Sequence, residues 1–244
     1  MKTKTLELTM TSLNGALYAT LGYMTFLGLF APIVGVVRFW PGVFVPAVFA
    51  VLFGPVVGGV GASIGVFISD MLVHGNALLS LTVGVPANFV MFSLIGLLAN
   101  RKFKPAWRYI SIVLSLSILL LLLGLSYFLP WEGEEMFVWL GVAAISIPTI
   151  LILSLVWPRW SGYQVAASIG NAVGSIIVGF GVWAFSQFLV VPGGGQNLTL
   201  MAAYVLTVFT FMNQIPFLLI VVPPVLKASY RAFPALVRRV GEEG

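Results

Sequence analysis

An uncharged apolar run dominates the middle of this sequence. The stretch from Ile110 to Leu129 carries no charged residue, and a helix needs about 20 apolar residues to cross the roughly 30 Å hydrocarbon core of a bilayer. Similar stretches recur along the 244 residues, which are 60% hydrophobic and 8% charged, with a mean hydropathy of +1.08. So few charges cannot cover the surface of a water-soluble domain. We therefore expect a polytopic helical membrane protein.

Breaks at proline, glycine and charged residues divide the chain into about eight candidate transmembrane helices. They span residues 10–36, 41–53, 55–73, 77–99, 107–129, 136–157, 164–191 and 199–226. Because the connections are short, we expect a single all-α membrane domain over residues 1–244.

The distribution of basic residues predicts the orientation of these helices. If the N-terminus is cytoplasmic and every segment crosses, all but one of the 12 Lys and Arg residues lie inside, and only Arg38 lies outside. Those on the inner side are Lys2, Lys4, Arg101, Lys102, Lys104, Arg108, Arg159, Lys227, Arg231, Arg238 and Arg239. This asymmetry is typical of multi-pass proteins. We expect a cell-membrane protein with both termini in the cytoplasm, and we attribute the net charge of +5 to this bias and not to nucleic-acid binding.

The second segment is short for a crossing. Trp40 to Phe53 extends about 21 Å at 1.5 Å per residue, and it contains Pro41 and Pro46. A re-entrant segment is the alternative, but it would place the basic residues of 101–108 outside. The charge distribution therefore favours a short crossing.

The sequence lacks the motifs of common catalytic sites. It has no cysteine, one histidine, no G-x-x-x-x-G-K-[ST] phosphate loop, no H-E-x-x-H and no G-x-S-x-G. Asp70 and His74 are four residues apart and could share a helix face as metal ligands or as an acid–base pair, although the more ordinary interpretation is a polar helix end. We expect no enzyme activity, no cofactor and no metal.

Polar residues inside apolar helices are unfavourable in lipid and often functional. The candidates for substrate binding come from such positions and from the predicted outer loops. They are Arg38, Trp40, Asp70, Asn76, Asn88, Trp183, Gln187 and Asn213. An aromatic ring, amides and a fixed charge suit a small polar ring compound. The alternatives are hydrogen bonds between helices for the amides and an interfacial aromatic belt for tryptophans at segment ends.

Small residues at four-residue spacing let helices approach closely. Gly61, Gly65 and Ser69 form one such series, which fits either internal packing or a surface that slides on a partner. The first helix carries a second series near its cytoplasmic side, namely Ser12, Gly15, Ala16 and Ala19, which we predict to be a partner interface. Asn197-Leu198-Thr199 is a glycosylation sequon in a predicted outer loop, where modification is topologically permitted.

Several sequence motifs occur together along the chain. They are Arg38-Phe39-Trp40-Pro41, Leu52-Phe53-Gly54-Pro55, a glycine-rich stretch ending in Ile68-Ser69-Asp70, Pro86-Ala87-Asn88-Phe89, and Asn213-Gln214-Ile215-Pro216 followed by basic residues. In these motifs the chain resembles the membrane-embedded substrate-capture subunits, or S components, of energy-coupling factor transporters. The resemblance covers roughly residues 10–130 and 205–230. It implies a six-helix core, so that two of our eight predicted helices, within about 136–191, would be an insertion.

The resemblance implies a function without intrinsic ATPase activity. Such a subunit captures a vitamin-like solute from outside and rotates in the bilayer, driven by ATPases on a separate transmembrane coupling subunit. Gly15 and Ala19 match the family's docking residues on the first helix. The main alternative is a non-catalytic integral subunit of a larger membrane complex. A secondary transporter would show inverted repeats and a charged midplane residue, and an intramembrane enzyme would need companions for Asp70 and His74.

Overall fold

The computed structural model describes residues 2–29, 33–34, 37–99, 101 and 134–233, with six further positions between 109 and 120. The predicted helix at 107–129 therefore lies largely outside the described residues. The described helices are α1 (Lys2–Met24), α2 (Phe44–Phe53), α3 (Pro55–Val73), α4 (Ala77–Ala99), α5 (Glu134–Val156), α6 (Ser161–Ser186), α7 (Leu200–Ile220) and α8 (Val222–Ala232). Two strands of two residues, β1 (Ile33–Val34) and β2 (Val37–Arg38), pair antiparallel between α1 and α2.

Apolar helices of membrane-spanning length are present in the described part of the chain. Four qualify by length and composition: α3, α4, α6, and α7 continued by α8 as Leu200–Ala232. Pro41–Phe53 and Ala144–Leu153 are shorter apolar helices. The helical class is thus confirmed and a multi-pass membrane protein is supported, whereas eight crossings and the position of the termini stay predictions.

The first helix differs from its predicted span of 10–36. It begins at Lys2 and continues beyond Met24 only as a π-helical turn, Thr25–Leu29, before the β hairpin. Hydropathy did not predict the first turns of α1, because their Thr, Lys and Glu residues are too polar for a membrane-spanning segment. The early end follows from Pro32 and Gly35, which disfavour a helix, and from the β-branched Ile33, Val34 and Val37 around them.

The C-terminal helices also differ in their bounds. The predicted helix 164–191 begins at Ser161 and ends at Ser186, ahead of Pro192 and three glycines. The predicted helix 199–226 extends to Ala232, because Pro223 and Pro224 fall in the first turn of α8, where proline is tolerated.

Close contact between α1 and α3 depends on glycines, which have no side chain. A Cβ on Gly61 would lie 2.7 Å from Asn14 Cβ, and one on Gly65 would lie 2.8 Å from the carbonyl oxygen of Gly15. Asn14 is buried there and donates from Nδ2 to the carbonyl oxygens of Val57 and Gly58 at 3.0 and 3.3 Å. The small residues of α3 therefore serve internal packing against α1.

The remaining helices enclose a common core. Helix α4 packs between α3 and α6, α7 packs on α6, and α5 packs on α7. Phe92, Phe209, Phe211 and Ile215 are almost fully buried at the centre of this arrangement. Their packing fixes the relative positions of α1, α3, α4, α6 and α7, which together frame a cavity at one end of the bundle.

Candidate binding cavity

A cavity of about 330 Å³ lies where α3 and α6 end and where α4 and α7 begin. Its polar lining residues are Tyr18, Trp40, Asp70, His74, Asn88, Thr210 and Gln214. Valines at positions 66, 178 and 182 supply part of the apolar lining. A few polar groups set in an apolar wall are the usual composition of a small-molecule site.

Two aromatic side chains form a hydrogen-bonded wall of the cavity. Trp40 Nε1 donates to the Tyr18 hydroxyl at 2.7 Å, and that hydroxyl donates to Asn88 Oδ1 at 2.8 Å. Asn88 Nδ2 in turn donates to the carbonyl oxygen of Gly84 at 2.9 Å. The rings of Tyr18 and Trp40 meet edge to face, with centroids 6.0 Å apart. Because each of these donors is used, the wall is fixed in orientation before any ligand arrives.

A π-helical turn in α4 shapes the same region. Ser80–Gly84 forms this turn, and the Ser80 carbonyl accepts from the backbone of Val85 at its end. Turns of this kind interrupt α-helices frequently at functional sites. Here the turn brings Ser80 and Gly84 against Asp70, and a Cβ on Gly84 would lie 2.9 Å from Asp70 Oδ2. The glycine thus leaves room for the carboxylate.

Asp70 and His74 form an acidic corner. Ser80 Oγ donates to Asp70 Oδ2 at 2.6 Å, and His74 Nε2 lies 3.6 Å from Asp70 Oδ1. His74 Nδ1 accepts from the backbone N–H of Asn76 at 3.0 Å, so the proton of the neutral ring lies on Nε2, facing the carboxylate. A carboxylate has about four acceptor positions, and these contacts leave Asp70 able to accept from a ligand.

Gln214 lines the cavity and carries an unpaired acceptor. Its Oε1 atom is buried and has no hydrogen-bond partner among the described residues. Leaving a buried acceptor unpaired is unfavourable by about 1–3 kcal/mol. A ligand that donates an N–H or O–H here would remove that penalty.

Three of the predicted binding residues, Trp40, Asp70 and Asn88, line this cavity. Asn213 lies beside it and is buried, accepting from the Trp40 backbone at 3.3 Å and donating to the Phe209 carbonyl at 2.9 Å. It therefore holds the Trp40 segment against α7. Asn76 caps α4, because its Oδ1 accepts from the Leu79 N–H at 2.9 Å.

Two other predicted binding residues, Trp183 and Gln187, are not among the described lining residues of the cavity. Gln187 donates to the carbonyl oxygens of Trp183 and Leu198, at 3.1 and 3.0 Å, and so ties the connection between α6 and α7. Trp183 is half-buried and is not part of the lining. The Arg38 backbone lies in β2, and its side chain is outside what the structure describes. Gln187 therefore has a structural role here, and binding by Trp183 and Gln187 stays a prediction.

Tyr18, Thr210 and Gln214 were not among the predicted binding residues, although all three line the cavity. Tyr18 follows Asn14 by one turn, and both are buried on the face of α1 that meets α3. A polar pair at this spacing within an apolar helix is a usable signal for a buried, functional face. Thr210 and Gln214 have the same spacing on α7, and both line the cavity.

The predicted partner interface on α1 is divided between two faces. Gly15 and Ala19 are buried, and a Cβ on Gly15 would lie 3.2 Å from the Gly61 carbonyl oxygen. Ser12 and Ala16 are exposed. Residues four apart share a helix face, whereas Gly15 and Ala16 point about 100° apart. Only Ser12 and Ala16 are therefore available to a partner.

Asp70 and His74 stand without further metal-type ligands in the described part of the chain, where no group of three or more His, Cys, Asp or Glu residues occurs. Comparisons with protein-family models, with curated proteins and with solved structures found no match to this chain. The cavity is accordingly interpreted from its own geometry.

Proposed function

We propose that this chain is the membrane-embedded substrate-capture subunit of an uptake transporter for a small, vitamin-like ring compound. The observation that carries the proposal is the cavity framed by Tyr18, Trp40, Asp70, Asn88 and Gln214 at one end of an apolar helix bundle. Its volume of about 330 Å³ lies at the lower end of the range of ligand sites, roughly 300–1,000 Å³. A single or fused ring system fits that space.

The polar groups of the cavity favour a ligand that donates hydrogen bonds. Asp70 and Gln214 offer acceptors, whereas the Trp40 N–H is already engaged with Tyr18. Among the described lining residues there is no Lys or Arg to bind an anion. We therefore propose a neutral or cationic nitrogen compound whose N–H groups meet Asp70 and Gln214, with its ring against Trp40.

Transport energy would come from other subunits. The sequence has no phosphate-binding loop, so we propose a separate transmembrane coupling subunit with ATPases. The cavity lies at the end of the bundle opposite Arg101 and Arg159, which the charge bias assigns to the cytoplasm. On that orientation the cavity faces outward. The exposed Ser12 and Ala16 on α1 are the proposed contact for the coupling subunit.

Mass spectrometry of the purified protein tests the proposal. We expect a low-mass nitrogen compound to co-purify at up to one per chain. Val178→Phe fills the cavity from α6 and should abolish this retention. Ile176→Phe adds the same volume on the exposed side of α6, where Ile176 is 49% exposed, and should not change it. Equal retention by both variants, or no retained compound after growth with a supply of vitamins, would contradict a capture site here.

A further inference from the structure

A second cavity opens at the other end of the bundle, where α4 ends and α6 begins. It has a volume of about 280 Å³, and its lining includes Arg101, Arg159, Trp160, Ser161 and Tyr230. Two arginines, a tryptophan and residues with hydroxyl groups therefore line one recess. Neither the positive charge nor the recess is used by the proposed capture site, which lies at the opposite end of the bundle.

An adjoining cavity of about 490 Å³ shares the lining residues Arg159 and Trp160 with this recess. Its other lining residues include Val156, Trp157, Pro223 and Lys227. Its lining therefore combines two cations, Arg159 and Lys227, with apolar groups. The two recesses meet at Arg159 and Trp160, and both combine positive charge with apolar lining residues.

The positive charges of this region are not neutralised within the described part of the chain. Neither Arg101, Arg159 nor Lys227 has a carboxylate within salt-bridge distance there, and no acidic residue lines either cavity. Cations of the same sign that line one recess repel each other, and an anion bound between them relieves that repulsion. Arginine pairs well with phosphate oxygens because its planar fork donates two parallel hydrogen bonds.

The position along the helices corresponds to the membrane surface. Apolar helices α4 and α6 have their ends here, at Ala99 and Ser161. On α5, Leu155 and Val156 are 67% and 62% exposed beside the cavity, and Val156 lines it. An acyl chain can lie along these side chains while the charged group stays at the level of the arginines.

We propose that the two adjoining cavities form a binding site for an anionic phospholipid at the inner surface of the membrane. The phosphate lies between Arg101 and Arg159, with the Tyr230 hydroxyl beside it. Lys227 faces the remaining polar part of the headgroup, and the acyl chains pass along Trp157 and Val156. The absence of a lining carboxylate in the described chain selects against lipids whose headgroup carries a compensating cation. Basic recesses between helices on the cytoplasmic side of membrane proteins are typical lipid headgroup sites.

Native mass spectrometry with defined lipids tests this site. The detergent-purified protein is titrated separately with phosphatidylglycerol, phosphatidylcholine and inorganic phosphate. We expect phosphatidylglycerol to bind at least tenfold more tightly than phosphatidylcholine. Arg159→Gln should weaken it roughly tenfold, as for the loss of one charge-assisted hydrogen bond. Arg231→Gln removes the same charge from the same end of the bundle but lines neither cavity, and it should change the affinity by less than about twofold.

Two further variants distinguish a loss of lipid binding from a loss of folding. Arg159→Lys keeps the charge and should bind more tightly than Arg159→Gln, and Arg101→Gln should repeat the loss from the other side of the recess. The proposal is overturned if Arg159→Gln and Arg231→Gln weaken binding equally, since the attraction would then be diffuse. It is also overturned if inorganic phosphate alone binds as tightly as the lipid and displaces it, or if neither lipid is retained.

Discussion

Gly65→Val is expected to separate α1 from α3 and to lower the free energy of unfolding by about 3 kcal/mol, at the upper end of the usual effect of overpacking. A Cβ at this position would lie 2.8 Å from both the Gly15 carbonyl oxygen and Tyr18 Cβ. The backbone carbonyl cannot move away as a flexible side chain can, so the helices must shift. Because Tyr18 carries the hydrogen bonds to Trp40 and Asn88, the cavity should also lose its fixed wall.

The measurement is reversible unfolding in mixed micelles, with Gly141→Val as the matched control. Gly141 lies on α5 and is exposed, and no atom of the described residues lies within 4 Å of the position its Cβ would take. We expect the control to change stability by less than about 0.5 kcal/mol, the usual effect of surface substitutions. If Gly65→Val does not accumulate, Gly65→Ala takes its place. Equal stability of the Gly65 and Gly141 variants would show that α1 and α3 are not in close contact.

Asp70→Asn is expected to weaken binding of the co-purified compound roughly 10- to 100-fold. The substitution keeps the size of the side chain and removes the charge, and a hydrogen bond to a charged group contributes about 1.5–3 kcal/mol. Ser80 already donates to Oδ2 of this carboxylate at 2.6 Å. The ligand is expected to donate to the remaining acceptor positions of Asp70, so the substitution should weaken mainly the hydrogen bond to the ligand.

Equilibrium dialysis of the purified compound measures this loss, and Glu7→Gln serves as the control. Glu7 carries the same charge near the start of α1, is exposed, and does not line the cavity. The affinity of Glu7→Gln for the compound should stay within about twofold of that of the unsubstituted protein. The unfolding midpoints of Glu7→Gln and Asp70→Asn should match each other. An unchanged affinity in Asp70→Asn would remove the carboxylate from the proposed ligand contacts.

The helical class and several boundaries followed from the sequence because they depend on local signals. Gly54-Pro55 separates α2 from α3, and Ala77–Ala99 has the predicted bounds of residues 77–99. Both reflect proline and glycine breaks beside long apolar runs. The end of the first helix was missed, because a short hairpin of β-branched residues within an apolar stretch has the hydropathy of a membrane helix.

The candidate site was predictable only in part because spacing does not reveal what covers a helix face. Trp40, Asp70 and Asn88 were identified from their polarity and position, and they line the cavity. Trp183 and Gln187 were selected on the same grounds, but Gln187 holds the connection that follows α6. On α1, small residues predicted a partner interface that includes Gly15, and in the structure the neighbour that covers Gly15 is α3 of the same chain.

The absence of cysteine from the sequence permits a direct test of outward capture with single introduced thiols. Val73→Cys places one at the cavity, and Ala228→Cys places one on the exposed side of α8 at the opposite end. In intact cells, a membrane-impermeant maleimide should label Val73→Cys and not Ala228→Cys, and the co-purified compound should slow labelling of Val73→Cys. Capture from the outside would be contradicted if only Ala228→Cys were labelled from outside. It would also be contradicted if the compound left the labelling of Val73→Cys unchanged.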